Sequence, residues 1–233
     1  MKILAAGDIH GSITHARYLL ESARRVGCQG ILQVGDFGYM PQRSTFHAQF
    51  SELASTADID VFWLDGNHEN FAALEQVVDV ESDYPQKMLE RLTYLPRGCT
   101  WTWDGLRFMA LGGAYSADRA GRTEGVSWWP QELITDVQVQ RAVGRGRVDI
   151  MFSHDAPEGV CPIVSSAYKD DAVSRENRLA VTSVVQAVQP RLLVHGHYHY
   201  RYASHFGDTF VEGLDCDGAG EDSWLVIDTE RWG

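Results

Sequence analysis

Over its first third the chain alternates short apolar runs with stretches of helical spacing. Residues 2–6 form a compact apolar run, the pattern of a strand buried on both faces. Between 14 and 26, Ala16, Leu19, Leu20 and Ala23 fall on one face of a helix. Residues 30–34 predict a second strand, 44–54 a second helix and 60–64 a third strand. A β-α-β-α-β order requires parallel strands joined by crossover helices. The character then changes. Residues 99–103 and 106–111 flank Asp104-Gly105, a hairpin signal. Residues 130–143 predict a helix, 148–152 a strand, 176–188 a helix ending before Pro190, and 191–194 another buried strand. The mixed-charge stretch 169–178 reads as an exposed flap. Residues 200–205 and 209–213, around Gly207-Asp208, and then 224–227 read as antiparallel strands. Parallel units followed by hairpins predict a mixed-sheet α/β sandwich. No repeat or linker interrupts the pattern, so residues 1–233 read as a single domain.

Composition narrows the classes. With 20 Lys+Arg against 32 Asp+Glu the formal charge is −12, and 44% of residues are hydrophobic, as in an ordinary globular protein. Stable binding of long nucleic acid by phosphate neutralisation needs a basic face and is not expected. No apolar run approaches the roughly 18 residues of a membrane helix, and Asp8 arrives too early for a signal peptide. The cytoplasm is the expected compartment. Cys28, Cys99, Cys161 and Cys216 form no CxxC pair and read as buried thiols.

Polar residues gather where the strands should end. The runs lead into Gly7-Asp8-Ile9-His10-Gly11, Gly35-Asp36-Phe37-Gly38, Gly66-Asn67-His68-Glu69, Ser153-His154-Asp155 and His195-Gly196-His197-Tyr198-His199. Ligands of open α/β sheets sit outside the carboxyl ends of the strands. Asp8, His10, Asp36, Asn67, His154, His197 and His199 offer oxygen and imidazole donors without thiolates, which suits Mn, Fe or Zn. Seven donors exceed the needs of one ion and suit two that share a carboxylate. Such a pair clamps the attacking and leaving oxygens of a phosphoryl displacement. His195 reads as structural, and His15, His47 and His205 as helix or surface residues. Ser12 and Thr14 read as helix-capping residues.

These five ordered blocks resemble the calcineurin-like metallophosphoesterases, over the span from Asp8 to His199. The resemblance implies a four-layer α/β/β/α sandwich of two mixed sheets with a dinuclear centre at the strand ends. It also implies that one metal takes Asp8, His10 and His199, the other takes Asn67, His154 and His197, and Asp36 bridges them. His68 is then not a ligand but the catalytic residue at the leaving group, and a hydroxide shared by the metals is the nucleophile. Manganese is the expected metal, with Fe, Zn or Ni as alternatives.

Gly35-Asp36-Phe37-Gly38, Gly66-Asn67-His68-Glu69-Asn70-Phe71, Leu111-Gly112-Gly113-Ala114-Tyr115-Ser116-Ala117-Asp118-Arg119 and Trp128-Trp129-Pro130-Gln131-Glu132 are similar to small phage- and prophage-type members. The Gly-Asp-x-Val-Asp-Arg-Gly block of the family's Ser/Thr protein phosphatases is absent, because Tyr39 and Met40 stand where its Asp and Arg would be. A phosphodiesterase acting on small or cyclic nucleotides is therefore expected. A phosphomonoesterase or Ser/Thr protein phosphatase is the alternative, and a non-catalytic scaffold a third reading. Tyr39, Tyr115 and Trp128, with Trp129, are candidates to stack on a base, and Arg119 and Arg122 to contact a phosphate. Nothing in the sequence specifies a protein partner.

Overall fold

A computed structural model describes residues 1–160 and 171–232. Its strands are β1 (Lys2–Ala6), β2 (Gly30–Gln33), β3 (Asp60–Trp63), β4 (Gln86–Leu89), β5 (Leu92–Tyr94), β6 (Thr100–Trp103), β7 (Leu106–Leu111), β8 (Ile150–Ser153), β9 (Leu192–His195), β10 (Tyr202–Phe206), β11 (Thr209–Gly213) and β12 (Trp224–Asp228). Its α-helices are α1 (Ile13–Val26), α2 (Phe46–Ala57), α3 (Phe71–Leu74), α4 (Asp136–Val143) and α5 (Ala172–Val188).

The strands form two six-stranded sheets, ordered β12-β1-β2-β3-β5-β4 and β10-β11-β9-β8-β7-β6. Both are mixed. β1, β2, β3 and β5 run parallel, as do β7, β8, β9 and β11, with antiparallel strands at the edges. Side-chain alternation along each strand supplies both faces of its sheet. In β1, Leu4 and Ala6 join the core under α1 and α2, while Ile3 and Ala5 join the core between the sheets. In β7, Phe108 and Ala110 face that same central core, and Met109 and Leu111 pack under α4 and α5. Three apolar cores separate four layers, which is the expected α/β/β/α sandwich.

Ser12 caps α1 by accepting the His15 N–H, and Gly27 ends it in the left-handed conformation at φ 73°. The Asp104-Gly105 turn has φ of 48° and 78°, the twist a two-residue hairpin requires. Cys28 and Cys99 are buried free thiols and Cys216 is partly buried, while Cys161 lies outside the described residues. No helix among the described residues is long and apolar enough to cross a membrane.

Two expectations are corrected, and two features were not foreseen. The helix expected over 130–143 is a 3-10 turn, Pro130–Glu132, followed by α4. The buried guanidinium of Arg97 donates to the carbonyls of Gln131, Glu132 and Leu133, which are thereby lost to a helical ladder. Thr135 then starts α4 with a capping box through Gln138. The exposed flap expected over 169–178 is instead helical from Ala172, because the Asp171 carboxylate caps the Val173 and Ser174 N–H groups. Ser174, Asn177 and Arg178 are buried in α5, and residues 169–170 lie outside the described residues. The tail strands are antiparallel as expected but divide between the sheets, β10 and β11 extending one and β12 pairing with β1 in the other. Finally, β4 and β5 form an edge pair that short, half-polar segments did not announce.

Arg97 also pairs with the buried Asp65 just beyond β3, at 2.6 Å, and Tyr94 donates to the same carboxylate at 2.6 Å. Removing one member of a buried pair leaves the other charge stranded. Arg97→Met is expected to destabilise the fold by about 3–5 kcal/mol in urea unfolding. A loss below about 1 kcal/mol would show that water replaces the guanidinium without cost.

Candidate metal centre

The parallel strands of both sheets end at one edge, and the five blocks lie there. β1, β2 and β3 of one sheet lead to Asp8, Asp36 and Asn67-His68, and β8 and β9 of the other lead to His154 and to His197 and His199. Asp8, Asp36, Asn67, His154 and His197 are buried. The side chains of His10, His68 and His199 are 28%, 32% and 45% exposed, and they mark the open side of the cluster.

Asp8 and Asp36 organise the rest. Asp8 Oδ1 accepts the His197 N–H at 3.0 Å, and Oδ2 lies 3.0 Å from His199 Nε2 and 3.8 Å from His10 Nε2. Asp36 Oδ1 accepts the N–H groups of Asn67 and His68, both at 2.9 Å, and lies 3.3 Å from His154 Nε2. Its Oδ2 is 3.4 Å from His10 Nε2 and 3.8 Å from His68 Nε2. Asp36 thus touches both halves of the cluster. One half is Asp8, His10, Asp36 and His199, whose ligand atoms lie within 4.8 Å of one another. In the other, Asn67 Oδ1 is 3.2 Å from His154 Nε2, and the His154 and His197 rings lie 5.0 Å apart.

The backbone is shaped for this crowding. A Cβ at Gly66 would overlap Asp36 Oδ1 and His154 Nε2, and one at Gly196 would overlap Asp8 Oδ1. Four of the ligand candidates, His10, Asp36, His197 and His199, adopt positive φ between 48° and 71°. Such strain in non-glycine residues persists where surroundings over-determine it, and it clusters at functional sites.

The electrostatics of the cluster favour positive charge beside its carboxylates. Burial works against a charge on His10, but Asp36, Asp8 and Asp217 outweigh it and raise the imidazole to about 10. Burial also opposes charge on His154, and Asp36 and Asp8 again prevail, lifting it to about 10. Two imidazoles that hold protons this tightly show that the buried carboxylates require positive charge. Divalent ions satisfy that requirement, and an all-oxygen-and-nitrogen donor set suits hard to borderline metals. The residues fit a metal. His154 Nδ1 donates to the Val34 carbonyl at 2.8 Å, and His10 Nδ1 to Asp217 at 2.8 Å, leaving each Nε2 turned toward the carboxylates.

Asp217, on the segment after β11, escaped the sequence reading because a lone Asp in a turn carries no spacing signal. Arg122, expected only as a phosphate contact, lies instead against His68. Arg122 NH1 lies 2.7 Å from His68 Nδ1, NH2 lies 3.1 Å from Nε2, and Asp118 pairs with Arg122 at 2.6 Å. The two ring nitrogens point apart, so one guanidinium donates in plane to only one of them. Because a guanidinium only donates, a neutral His68 accepts from Arg122 at one ring nitrogen and carries its proton on the other; the shorter contact favours Nδ1 as the acceptor. Glu69 accepts from Gly38 N and Gly66 N at 3.1 and 2.9 Å, tying two of the blocks together.

The stacking candidates are placed as follows. Tyr39 is buried against Trp63 and His47. Tyr115 donates to Asp171 at 3.0 Å. Trp128 and Trp129 are largely buried, and the Arg119 guanidinium lies 4.1 Å over the Trp128 ring. His195 is buried, its Nε2 2.6 Å from the Tyr202 hydroxyl, and burial lowers it to about 4, so it stays neutral. His15 is a helix residue but buried, whereas His47 and His205 are less enclosed.

The chain belongs to the calcineurin-like phosphoesterase family, whose model matches residues 1–201. Comparison with curated protein sequences gives no significant match. Among solved structures, the protein TT1561 of Thermus thermophilus superposes with a TM-score of 0.61 at 14% identity, covering 97% of this chain and 98% of its own. A dimetal phosphatase from Danio rerio gives 0.60 at 16% identity, covering 93% and 87%. An archaeal phosphodiesterase gives 0.50 at 14% identity, covering 100% and 96%. At these identities the likeness is one of fold.

Metal uptake should release protons, because His10 and His154 hold theirs up to about 10 in the metal-free site. Apparent Mn²⁺ affinity is therefore expected to rise as pH increases from 6 toward 9. Calorimetry in buffers of different ionisation enthalpy checks this, and a pH-independent affinity would contradict it. Gly66→Ala, which drives a methyl group into Asp36, is expected to abolish metal uptake.

Proposed function

We propose that this metal-dependent phosphoester hydrolase acts on phosphodiesters of small or cyclic nucleotides, using two divalent ions, with manganese favoured. The observation that carries the diester reading is the charge balance around His68. Arg122, the guanidinium beside His68, is already paired with Asp118. Asp217, bonded to His10, adds further negative charge at the rim. A phosphodiester carries one negative charge and a monoester close to two, so a site with little spare cationic charge suits the diester. The absence of the protein-phosphatase Asp-Arg pair at Tyr39 and Met40 points the same way. The fold neighbours include both a phosphodiesterase and a phosphatase, so the fold does not choose between them.

Two divalent ions, when bound, supply Lewis acidity toward a phosphoryl oxygen and lower the pKa of water. Asp8, His10, His199 and Asp36 would hold one, and Asp36, Asn67, His154 and His197 the other. His68 is partly exposed at the mouth of the cluster, and its Nε2 proton is available to a leaving alkoxide. Burial first, and then Arg122 and His10, hold its pKa below the usual imidazole value against the pull of Asp36. A scaffold reading is disfavoured, because such members lose ligands and all seven are present here. The sequence likeness to phage-type members and the cytoplasmic setting remain part of this reading.

With Mn²⁺, bis-(p-nitrophenyl) phosphate is expected to turn over faster than the p-nitrophenyl monoester, and the reverse ranking would overturn the diester assignment. His68→Ala is expected to lower kcat by about 10²–10⁴-fold on diesters with poor leaving groups. Near-native turnover there would remove His68 from proton transfer.

A further inference from the structure

Two sequence motifs that the metal ligands leave unused, residues 111–119 and 128–132, meet beside Asn67. Ser116 comes from the first and Glu132 from the second, and both are buried, Glu132 at 0% exposure. Asn67 Nδ2 donates to Ser116 Oγ at 3.0 Å, and Ser116 Oγ donates to Glu132 Oε2 at 2.8 Å. The Ser116 N–H donates to Glu132 Oε1 at 3.3 Å and holds the carboxylate in place. Among the described residues no lysine or arginine forms an ion pair with Glu132. Arg119 and Arg122 act on it only from beyond ion-pair distance. A buried carboxylate with no direct cation is costly, and a well-packed apolar residue would serve the core better.

We propose that Ser116 and Glu132 are positioning residues that set the direction in which the Asn67 carboxamide presents its oxygen. The inference rests on the dinuclear reading above. Its logic is one of donors and acceptors. Both Glu132 oxygens accept from Ser116, one from its N–H and one from its hydroxyl, so the single hydroxyl proton of Ser116 is committed to Glu132. Ser116 Oγ can then only accept from Asn67, which forces Nδ2 toward Ser116. Asn67 Oδ1 is left facing the interior of the cluster, 3.2 Å from His154 Nε2. A carboxamide is nearly symmetric in shape, and turned the other way it would offer an NH₂ group that no metal can use. Packing alone does not distinguish the two orientations; the relay does. With an amide at 132, the NH₂ can donate to Ser116 Oγ, the hydroxyl proton is released, and the Asn67 amide is free to turn.

The test titrates the metal-free full chain with Mn²⁺ by calorimetry. The unaltered protein is expected to take up two ions. Glu132→Gln and Ser116→Ala are each expected to weaken one of the two binding events by about tenfold or more and leave the other unchanged. The double variant should be no weaker than the weaker single one, because the two residues act through one relay. Adding Asn67→Asp to Glu132→Gln should restore the lost event, since a carboxylate presents oxygen on both sides. A residue that merely fills space predicts no such rescue. Should Glu132→Gln fail to fold, Ser116→Ala carries the same comparison. Two ions bound with unaltered affinity by the single variants, or no rescue by Asn67→Asp, would overturn the positioning role alone. Fewer than two ions in the unaltered protein would overturn the dinuclear reading and this inference with it.

Discussion

Two carboxylates held out of water at the shared edge of two mixed sheets are the constraint on which the rest of the site depends. Asp8 and Asp36 are buried with no lysine or arginine paired to either among the described residues. Taking such groups from water is expensive unless charge and hydrogen bonds replace the lost hydration. Backbone N–H groups of Asn67, His68 and His197 supply the hydrogen bonds, and the imidazoles around them hold the charge. Asp36 shows the balance: burial alone would raise its pKa, yet His68, His154 and His10 hold it well below the ordinary value. An arrangement that protonates imidazoles at neutral pH to stay neutral overall is poised to exchange those protons for metal ions.

That concentration of charge dictates the backbone around it. Side chains from five strand ends can converge only if the chain passes close to them without a Cβ in the way, which is why Gly66 and Gly196 stand beside the ligands. It also places His10, Asp36, His197 and His199 in left-handed conformations that an ordinary loop would avoid. Each costs about 1–3 kcal/mol, and the sheets carry that strain. Three apolar cores, two under the helices and one between the sheets, make the edge rigid enough to do so.

Much of this was legible in the residues, and the reason is periodicity. Buried parallel strands such as β1 and β9 are unbroken apolar runs, and the ligand blocks follow them directly, so strand ends and chemistry are read together. The elements that escaped lacked that signal. β5 is three residues long, and β4 has no alternation that separates it from a loop. The break between Glu132 and α4 follows from a guanidinium 34 residues earlier in the chain, which no local pattern records. The helix start at Ala172 hid within a charged stretch because Arg178 is buried through Glu158 and Ser174, a tertiary override of its polarity. Within the site the ligands were readable, but the contacts that support them were not. Asp217, Ser116, Glu132 and Arg122 act at long sequence separation on residues that carry the motif.

Those supports also join folding stability to the geometry of the site. Arg97 is anchored by Asp65 just beyond β3, and it holds the carbonyls of residues 131–133 in one place. The Glu132 side chain leaves that same short segment to engage Ser116, and Ser116 engages Asn67. A buried ion pair thus fixes the backbone from which the Asn67 relay springs. Leu133 N–H and the other groups of this segment are spent on turns rather than on a continuous helix. Had residues 130–143 formed one helix, as their pattern invites, the carbonyls that Arg97 grips would be turned into the helical ladder and Glu132 would sit elsewhere. The interruption that sequence periodicity misses is therefore the feature that lets a core arginine set the position of a carboxylate beside the metal centre.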